Sequence, residues 1–372
     1  MAQSATRPAR ALSGALSRMF PTPQLLLPRA VGVDISDASA KWIILTEGGN
    51  HRRVAGFGDE PLQQGIVAEG VVKDIPALAE TLRTIKQKWN GIECAHAALP
   101  EEAAYVFNMH VPPGTGREQT LRMVEFELEG RVPIPPDRAV YDFDVIEHDA
   151  VGTEIGVFVF PIELAESYAE AFRAAGITLL SLEIEARSIA RAVISADQDP
   201  VTMLVDFGRV RTGIAVVKRG IPIFTSTVAV GGDVITRAVE EGMSLTGDAA
   251  QSFKNEEGLY AEKNLKPTSA QPMMQAAGAL TDEVGRHFHY WDTRRNEKDE
   301  RTTPVERVIL VGGSSNLKGL DDFIAGKVQA ATIRGNVWRH VDDFDNYIPP
   351  IDRRTSIQYA TAIGLALRSI SL

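Results

Sequence analysis

The sequence predicts an α/β protein built from two related lobes. One unit, a strand, an aspartate, a turn and a second strand, occurs twice, around Asp34 and again around Asp206, and such a repeat indicates duplicated architecture. Segments with helical periodicity follow each unit, and alternation of strands with helices is typical of α/β proteins. The length of 372 residues exceeds what one hydrophobic core usually serves, which favours two bodies.

The two copies share one plan. In the first copy an apolar strand reaches Asp34, a polar turn follows, and a second strand covers about Lys41 to Thr46. In the second copy the first strand ends at Asp206 and the next covers about residues 212 to 218. A further strand follows in each copy after a glycine-containing turn.

The region between the copies predicts a small inserted subdomain, at about residues 101 to 156. A helix carries Leu121 and Val124 on its apolar face, and strands with alternating apolar residues flank it. Tyr105, Phe107 and Met109 share one face of the strand before the helix. That face is either core or the lining of a groove for an extended peptide.

Two later segments continue the α/β pattern. Residues 154 to 194 predict strand, helix, strand and helix, which we assign to the core of the first lobe. The stretch VERVILVGGSSNLKGL, residues 305 to 320, predicts a strand, a glycine turn at Gly312 and Gly313, and a helix near Leu320.

Composition excludes several classes of protein. The net charge of -10 argues against a nucleic-acid surface, and the single cysteine, Cys94, excludes an intrachain disulfide framework and fits a reducing cytoplasm. Apolar runs are too short for a membrane-spanning helix. Residues 1 to 30 contain arginines but no acidic residue, so this tail, with its boundary at residue 29, is either disordered or a basic amphipathic helix at an anionic membrane.

The paired aspartates indicate a site for phosphates and a divalent cation. A tight turn at a strand end presents N–H groups that bind phosphate oxygens, whereas an Asp there holds Mg²⁺, usually through water. Two facing turns with Asp34 and Asp206 would grip a β,γ-phosphate and its Mg²⁺ from both sides of a cleft. Gly312 and Gly313 would let the backbone approach the α-phosphate and adenosine, next to a helix N-terminus.

These motifs resemble a known superfamily. GVDISDASAK, VDFGRVRTGIAVV and ILVGGSSNLKGL are similar to the phosphate-1, phosphate-2 and adenosine motifs of actin, Hsp70 and the sugar kinases. Within it the chain resembles most the PilM family, FtsA-like cytoplasmic proteins of type IV pilus assembly, through MVEFELEGRVPIPPDRAVYDFDVI, GGDVITRAV and IQYATAIGLALRSI. The resemblance covers about residues 30 to 372. It implies a two-lobed actin-like ATPase fold with duplicated RNase H-like subdomains and a small inserted α+β subdomain.

On that resemblance the domain boundaries can be placed. The first lobe is expected at residues 30–199, with the inserted subdomain at about 101–156. The second lobe is expected at 200–345, and residues 346–372 would return to the first lobe.

The resemblance also implies roles for individual residues. Asp34 and Asp206 would flank Mg²⁺, and Glu185 would position water for hydrolysis. Lys254 falls where a lysine often meets the adenosine, although a lysine on a helix is by itself more often a surface residue. The other residues expected to contact ATP are Ser36, Ser39, Lys41, Gly208, Thr212, Gly231, Gly232, Gly312, Gly313, Ser314 and Gly364.

Three residues depart from the superfamily pattern. Asp37 adds a carboxylate to the first phosphate turn, where relatives mostly have small residues. Arg209 and Arg211 occupy the second turn, where they could bind phosphate or obstruct it. We therefore expect ATP binding with at most slow hydrolysis.

The function that the resemblance implies is an ATP-binding adaptor at the cytoplasmic face of the inner membrane. Its inserted subdomain would capture the cytoplasmic tail of a PilN-like membrane protein, among other type IV pilus assembly proteins. The residues expected to form that surface are Tyr105, Phe107, Met109, Leu121 and Val124.

Two alternative functions stay open at this point. An FtsA-like filament protein of cell division would carry a membrane helix after its body, and the sequence ends at LALRSISL instead. A small-molecule kinase would need a base beside a substrate hydroxyl, and no residue is nominated for that role by its spacing.

Overall fold

A computed structural model describes residues 28–48, 51–149, 152–195, 200–260, 267–295, 304–341 and 347–370. The two interpretations of the basic tail concern residues that lie almost wholly outside these ranges. Across the described chain no helix combines the length and the apolar character that crossing a membrane requires.

The described residues alternate between strands and helices along the chain, as predicted. The strands are β1 Ala30–Ile35, β2 Ser39–Gly48, β3 His51–Pro61, β4 Val67–Ala68, β5 Val71–Val72, β6 Cys94–Leu99, β7 Tyr105–Val111, β8 Ala139–His148, β9 Thr153–Pro161, β10 Thr178–Ile184, β11 Thr202–Phe207, β12 Thr212–Lys218, β13 Ile221–Val228, β14 Arg307–Val311 and β15 Ala331–Arg334. The helices are α1 Ile75–Lys86, α2 Arg117–Arg131, α3 Ile162–Ala174, α4 Glu185–Val193, α5 Gly232–Met243, α6 Gly247–Glu256, α7 Pro267–Thr293, α8 Leu320–Val328, α9 Arg353–Ser356 and α10 Ala360–Leu367.

Two five-stranded sheets have the same topology, which confirms the predicted duplication. Their orders are β3-β2-β1-β6-β10 and β13-β12-β11-β14-β15. In each sheet the first strand of the repeated unit is antiparallel to the second strand and parallel to a later strand. Asp34 and Asp206 occupy the same position, one residue before the end of β1 and of β11.

A three-stranded sheet of order β7-β9-β8, with helix α2, forms the inserted subdomain. Strand β9 differs from the prediction, because it was assigned to the core of the first lobe and is the central strand of this small sheet. Its residues Ile155, Val157 and Val159 are fully buried on the side of α2. A strand paired on both edges reads as a nearly continuous apolar run, so its pattern alone does not say which sheet it joins.

Helix α1 shows how local sequence sets an element. The Asp74 side chain accepts a hydrogen bond from the Ala77 N–H at 2.9 Å, which caps the helix, and Pro76 stands in its first turn. Leu78, Leu82 and Ile85 are the buried face. The predicted helix is therefore confirmed.

Helices α4 and α10 pack between the two sheets and join them through one apolar cluster. Every residue of α10 is buried, and the cluster includes Ala186 and Ile189 of α4 together with Leu204 and Val217 of the second sheet. A second cluster fills the space between the outer face of the second sheet and helices α5, α7 and α8. The lobes thus meet over packed side chains on one side of the cavity described below.

Close packing of α10 on α4 makes one glycine necessary. A Cβ at Gly364 would overlap the carbonyl oxygen of Ser188 in α4. We expect Gly364→Ala to lower the free energy of unfolding by about 1–3 kcal/mol, because the helices must separate. Thermal or urea unfolding measures this. Gly278→Ala in α7, where a Cβ meets nothing within 4 Å, should be neutral or slightly stabilising; equal losses in both variants would contradict the packing argument.

A buried histidine predicts the response of stability to acid. His96 Nδ1 lies 2.7 Å from Ser181 Oγ and Nε2 lies 2.8 Å from Ser369 Oγ. Burial, followed by the charge of Arg368, lowers the pKa of His96 to about 4, whereas an unfolded histidine has a pKa of about 6.5. The unfolded chain therefore binds the proton more tightly, and the contribution of His96 to stability is present above pH ~6.5 and lost as the pH falls towards ~4.

The variant His96→Asn tests this linkage by urea unfolding at several pH values. Between pH ~6.5 and pH ~4.5 the wild type should lose about 1 kcal/mol per pH unit more than the variant does. The exposed His289→Asn in α7 serves as control and should keep the wild-type slope. A variant slope equal to that of the wild type would show that His96 is not the titrating group.

Candidate nucleotide site

A cavity of about 1110 Å³ lies between the two sheets, at the carboxyl ends of their first strands. β1 brings Asp34 to its wall, and β11 brings Asp206. Because these strands are equivalent members of duplicated sheets, the duplication itself places one carboxylate on each side. The other predicted site residues that line the cavity are Ser36, Ser39, Lys41, Glu185, Gly208, Lys254, Gly312, Gly313 and Ser314.

The turn between β1 and β2 is held by its own polar groups. The Ser36 N–H donates to the Ser39 carbonyl at 2.9 Å, and the Ser36 hydroxyl donates to the same oxygen at 3.0 Å. Lys41 Nζ donates to Ser39 Oγ at 2.9 Å. The turn therefore presents hydroxyl groups and one ammonium group beside Asp34.

The turn between β11 and β12 is closed by the Gly208 N–H, which donates to the Arg211 carbonyl at 3.0 Å. The Gly208 carbonyl accepts from the Gly232 N–H at 3.0 Å, which ties the turn to the start of α5. Thr212, a predicted ATP contact, is not among the residues that line the cavity. Its side chain is fully buried and its hydroxyl donates to the Val230 carbonyl at 2.6 Å, so it stabilises the turn from inside.

The carboxyl groups at this end of the cavity repel one another. Burial, followed by the charge of Asp34, raises the pKa of Asp206 to about 6. Burial also raises the pKa of Asp34, against the opposing effect of Lys41. Burial and the charge of Asp34 hold the pKa of Glu185 well above its usual range. A divalent cation at this place would relieve the repulsion.

The donor set fits a cation that takes few ligands from protein. Among the residues that the structure describes, no three His, Cys, Asp or Glu side chains are grouped closely enough to hold a metal ion by themselves. Mg²⁺ does not need such a group, because it keeps several waters and is usually bound through one or two carboxylates and substrate phosphates. Asp34 and Asp206 are the residues that would hold it here.

Glu101 is a buried carboxyl group that the sequence analysis missed. It lies directly after β6, the parallel neighbour of β1, and therefore reaches the same edge of the sheet as Asp34. Burial, followed by the charge of Asp206, raises the pKa of Glu101 to about 8. The signal was present in the sequence, since glutamates at 101 and 102 follow an apolar strand whose carboxyl end faces the cleft.

The glycine turn after β14 has a different origin from the predicted one. Gly312 has a φ of 83°, in the left-handed region that favours glycine. A Cβ there would overlap the Asp206 carboxylate and the Phe207 carbonyl. The close approach at Gly312 is thus made by the neighbouring strand β11. Gly313 has only ordinary contacts, to Gln358, and its backbone lines the cavity.

Lys254 lines the cavity and is only 6% exposed. Its ammonium group donates to Thr236 Oγ1 at 2.8 Å and to the Gly232 carbonyl at 3.3 Å, and burial lowers its pKa. The interpretation of Lys254 as an ordinary surface lysine is therefore wrong. Ser314 lies beside it, since a Cβ at Gly232 would meet both side chains.

Three glycines predicted to contact ATP do not line the cavity. Gly231 and Gly232 lie where α5 begins, and a Cβ on them would overlap the Arg209 carbonyl and Ser314 Oγ respectively. Gly364 lies in the contact between α10 and α4. In the structure these glycines permit close packing around the site.

The residues that depart from the superfamily pattern interact with each other. Arg211 pairs with Glu102 through Nε and with Asp37 through Nη1, the latter at 3.3 Å. Arg209 points elsewhere, because its side chain is exposed and its Nε lies 3.5 Å from Asp233. The two arginines of the second turn therefore have different surroundings.

The predicted partner surface is only partly exposed. Val124 is fully buried and belongs to the core of the inserted subdomain, so it cannot contact a partner directly. Tyr105, Phe107 and Met109 are half-buried and pack against the same core, which favours the core interpretation of that strand face. Leu121 is half-buried on α2.

The chain is similar to proteins of a known family and to several solved structures. The model of a family described as type IV pilus assembly protein PilM matches residues 32–370. Among solved structures, a PilM-PilN type IV pilus biogenesis complex matches with a TM-score of 0.75 and 21% identity, over 92% of this chain and 99% of that chain.

Two further solved structures share the fold. The ethanolamine utilization protein EutJ from Carboxydothermus hydrogenoformans has a TM-score of 0.53 and 17% identity, over 93% of this chain and 91% of that chain. MreB5 of Spiroplasma citri bound to ADP has a TM-score of 0.54 and 12% identity, over 92% of this chain and 95% of that chain. At these identities the matches show the fold, which is the predicted two-lobed actin-like ATPase fold.

Proposed function

This chain belongs to the family of type IV pilus assembly protein PilM, and from that premise we propose that it is an ATP-binding adaptor of the pilus assembly machinery. Its inserted subdomain docks the cytoplasmic tail of a PilN-like inner-membrane protein, at the cytoplasmic face of that membrane. ATP with Mg²⁺ binds in the cavity between the sheets and regulates the docking.

The observation that carries the nucleotide part is the pairing of Asp34 and Asp206 on opposite walls of one cavity. Both stand at the ends of equivalent strands, beside turns that present polar groups. Mg²⁺ bound through water to the two carboxylates would neutralise phosphate oxygens. Lys254, which also lines the cavity, would lie towards the adenosine.

Hydrolysis would depend on Glu185, which begins α4 and lines the cavity. Its carboxylate, once formed, would orient an attacking water. Burial, followed by the charges of Asp34 and other neighbouring acidic groups, holds its pKa well above the usual range, which disfavours the carboxylate form that this role requires. We propose at most slow ATPase activity, with binding as the output.

The proposed coupling between the cavity and the inserted subdomain rests on strand β12. Its first residue follows Arg211 in the cavity wall, and its last residue, Lys218, pairs with Glu147 and with Glu154 of the inserted subdomain, the latter at 2.7 Å. Glu154 also accepts from Asn108 Nδ2 at 2.7 Å. A shift of the second turn on nucleotide binding would therefore be carried to the subdomain that takes the partner.

A second contact strengthens the same connection. Arg187 of α4 donates to Asp144 of the inserted subdomain at 2.7 Å and to the Gly220 carbonyl, next to the end of β12, at 3.1 Å. The β12-β13 hairpin, helix α4 and the inserted subdomain thus meet at one place. Since α4 begins with Glu185 in the cavity, two elements lead from the cavity to this junction.

Asp206→Asn tests the nucleotide site. Calorimetric titration with ATP and Mg²⁺ should show affinity reduced at least about tenfold in the variant, because a neutral amide no longer attracts the cation's hydration shell. With EDTA in place of Mg²⁺, wild type and variant should bind alike. Asp248→Asn, at an exposed position of the same cavity, should behave as wild type. Binding by the wild type that does not respond to Mg²⁺ would rule out this site.

Lys218→Met tests the coupling. In the wild type, ATP with Mg²⁺ should tighten binding of a peptide with the PilN-like cytoplasmic tail about fivefold or more, and the peptide should tighten ATP equally. The variant should keep its ATP affinity and lose most of that factor. The control Lys327→Met, which breaks an exposed pair with Asp282 inside the second lobe, should keep the full coupling factor. Equal peptide affinity with and without ATP in the wild type would refute the regulation of docking by ATP. The milder variant Glu147→Gln separates a loss of coupling from a loss of stability.

A further inference from the structure

A single guanidinium group bridges the two lobes inside the cavity. Arg211 belongs to the turn between β11 and β12, in the second lobe. Its partners are Asp37, in the turn between β1 and β2, and Glu102, in the turn after β6, both in the first lobe. All three side chains line the cavity and are between about one fifth and one quarter exposed, with Arg211 at 21%.

The carboxylate side of this bridge is built independently of Arg211. Asp37 Oδ1 accepts from the Gly70 N–H at 3.0 Å, and Oδ2 accepts from the Glu69 N–H at 3.1 Å. These two backbone donors fix Asp37 and remain if the arginine leaves. Asp37 can therefore release the guanidinium without becoming an unpaired buried charge.

Arg211 is also only partly engaged. Nε and Nη1 hold the two carboxylates, and within the described residues Nη2 has no hydrogen-bond partner. Once a planar guanidinium leaves its carboxylates, it can bind a phosphate through two parallel hydrogen bonds, and Nη2 is available for a first contact.

The charge balance at this end of the cavity requires a cation for any further anion. The acidic side chains that line the cavity outnumber the basic ones, which are Lys41, Arg209, Arg211, Lys254 and Arg354. A terminal phosphate placed between the two turns would face the carboxylates of Asp37 and Glu102. It could bind there only if Arg211 turned towards it.

We propose that Arg211 recognises the terminal phosphate of a nucleoside triphosphate, and that Asp37 and Glu102 hold its guanidinium across the cleft when that phosphate is absent. The inference rests on the proposed nucleotide site and adds to it a preference for triphosphates over diphosphates. A diphosphate does not reach the guanidinium and leaves the bridge in place. A triphosphate exchanges the two carboxylates for its own oxygens, which reorganises the contact between the lobes.

Arg211→Gln tests the assignment by calorimetric titration with the non-hydrolysable analogue AMPPNP and with ADP, both with Mg²⁺. The affinity for AMPPNP should fall about tenfold or more, and that for ADP should change less than about threefold. Arg211→Lys, which keeps the charge and loses the planar fork, should give an intermediate loss for AMPPNP.

Two control variants sharpen the result. Arg209→Gln removes the neighbouring, exposed arginine of the same turn and should lower both affinities by the same small factor. Glu102→Gln removes a competing carboxylate and should raise the affinity for AMPPNP while that for ADP stays constant. Thermal unfolding of each variant confirms that the protein is folded.

The outcomes separate this inference from the proposed function. If the wild type binds both nucleotides and Arg211→Gln weakens both equally, Arg211 contributes only general charge and the inference fails while the nucleotide site stands. If Arg211→Gln tightens AMPPNP, the residue obstructs the site and the inference fails as well. If the wild type binds neither nucleotide, the proposed function itself fails.

Discussion

Buried carboxyl groups repel one another where the two sheets meet, and the surrounding structure has to hold them together against that repulsion. Duplicated sheets bring Asp34 and Asp206 to one cavity, which Glu101 and Glu185 also line. Burial raises the pKa of each of these groups. A fold that gathers them without ligand gives up stability locally, and the apolar packing of α4 and α10 between the sheets offsets that loss. Such concentrations of unfavourable charge occur where a cation and a ligand are meant to bind.

The same packing explains how events at the cavity can reach the inserted subdomain. β12 has seven residues and spans roughly 20 Å at about 3.3 Å per residue, with the phosphate turn at one end and Lys218 at the other. It is paired with β11 and β13 on its two edges, with one register irregularity towards β13 between Val216 and Val217. A strand paired on both edges resists bending more than a loop of the same length does. The ion pairs of Lys218 with Glu147 and Glu154 then act on a body that has a core of its own.

What the sequence could predict follows from how local each signal is. Turn residues and strand periodicity act over a few positions, so both copies of the repeated unit, helix α1 and the strand before Gly312 were predicted. The neighbour of a residue across the fold is not local information. The partner of Gly312 is Asp206 on another strand, and Gly364 meets Ser188 on another helix, so a ligand was assigned where the protein's own atoms approach. Val124 was placed on the apolar face of its helix correctly, yet the same apolar character fits a core and a binding surface.

Asp37 and Arg211 show why two departures from the superfamily pattern have to be interpreted together. Taken alone, an added carboxylate in a phosphate turn weakens phosphate binding, and an arginine in the opposite turn either strengthens or blocks it. The two groups in fact lie 3.3 Å apart across the cleft, so each changes the meaning of the other. An arginine without the carboxylates would attract any phosphate, including that of a diphosphate, whereas an arginine held by them yields only to a ligand that reaches far enough. On the proposed role of Arg211, specificity for the longer phosphate chain would arise from the competition between protein carboxylates and ligand oxygens, and would need both departures together.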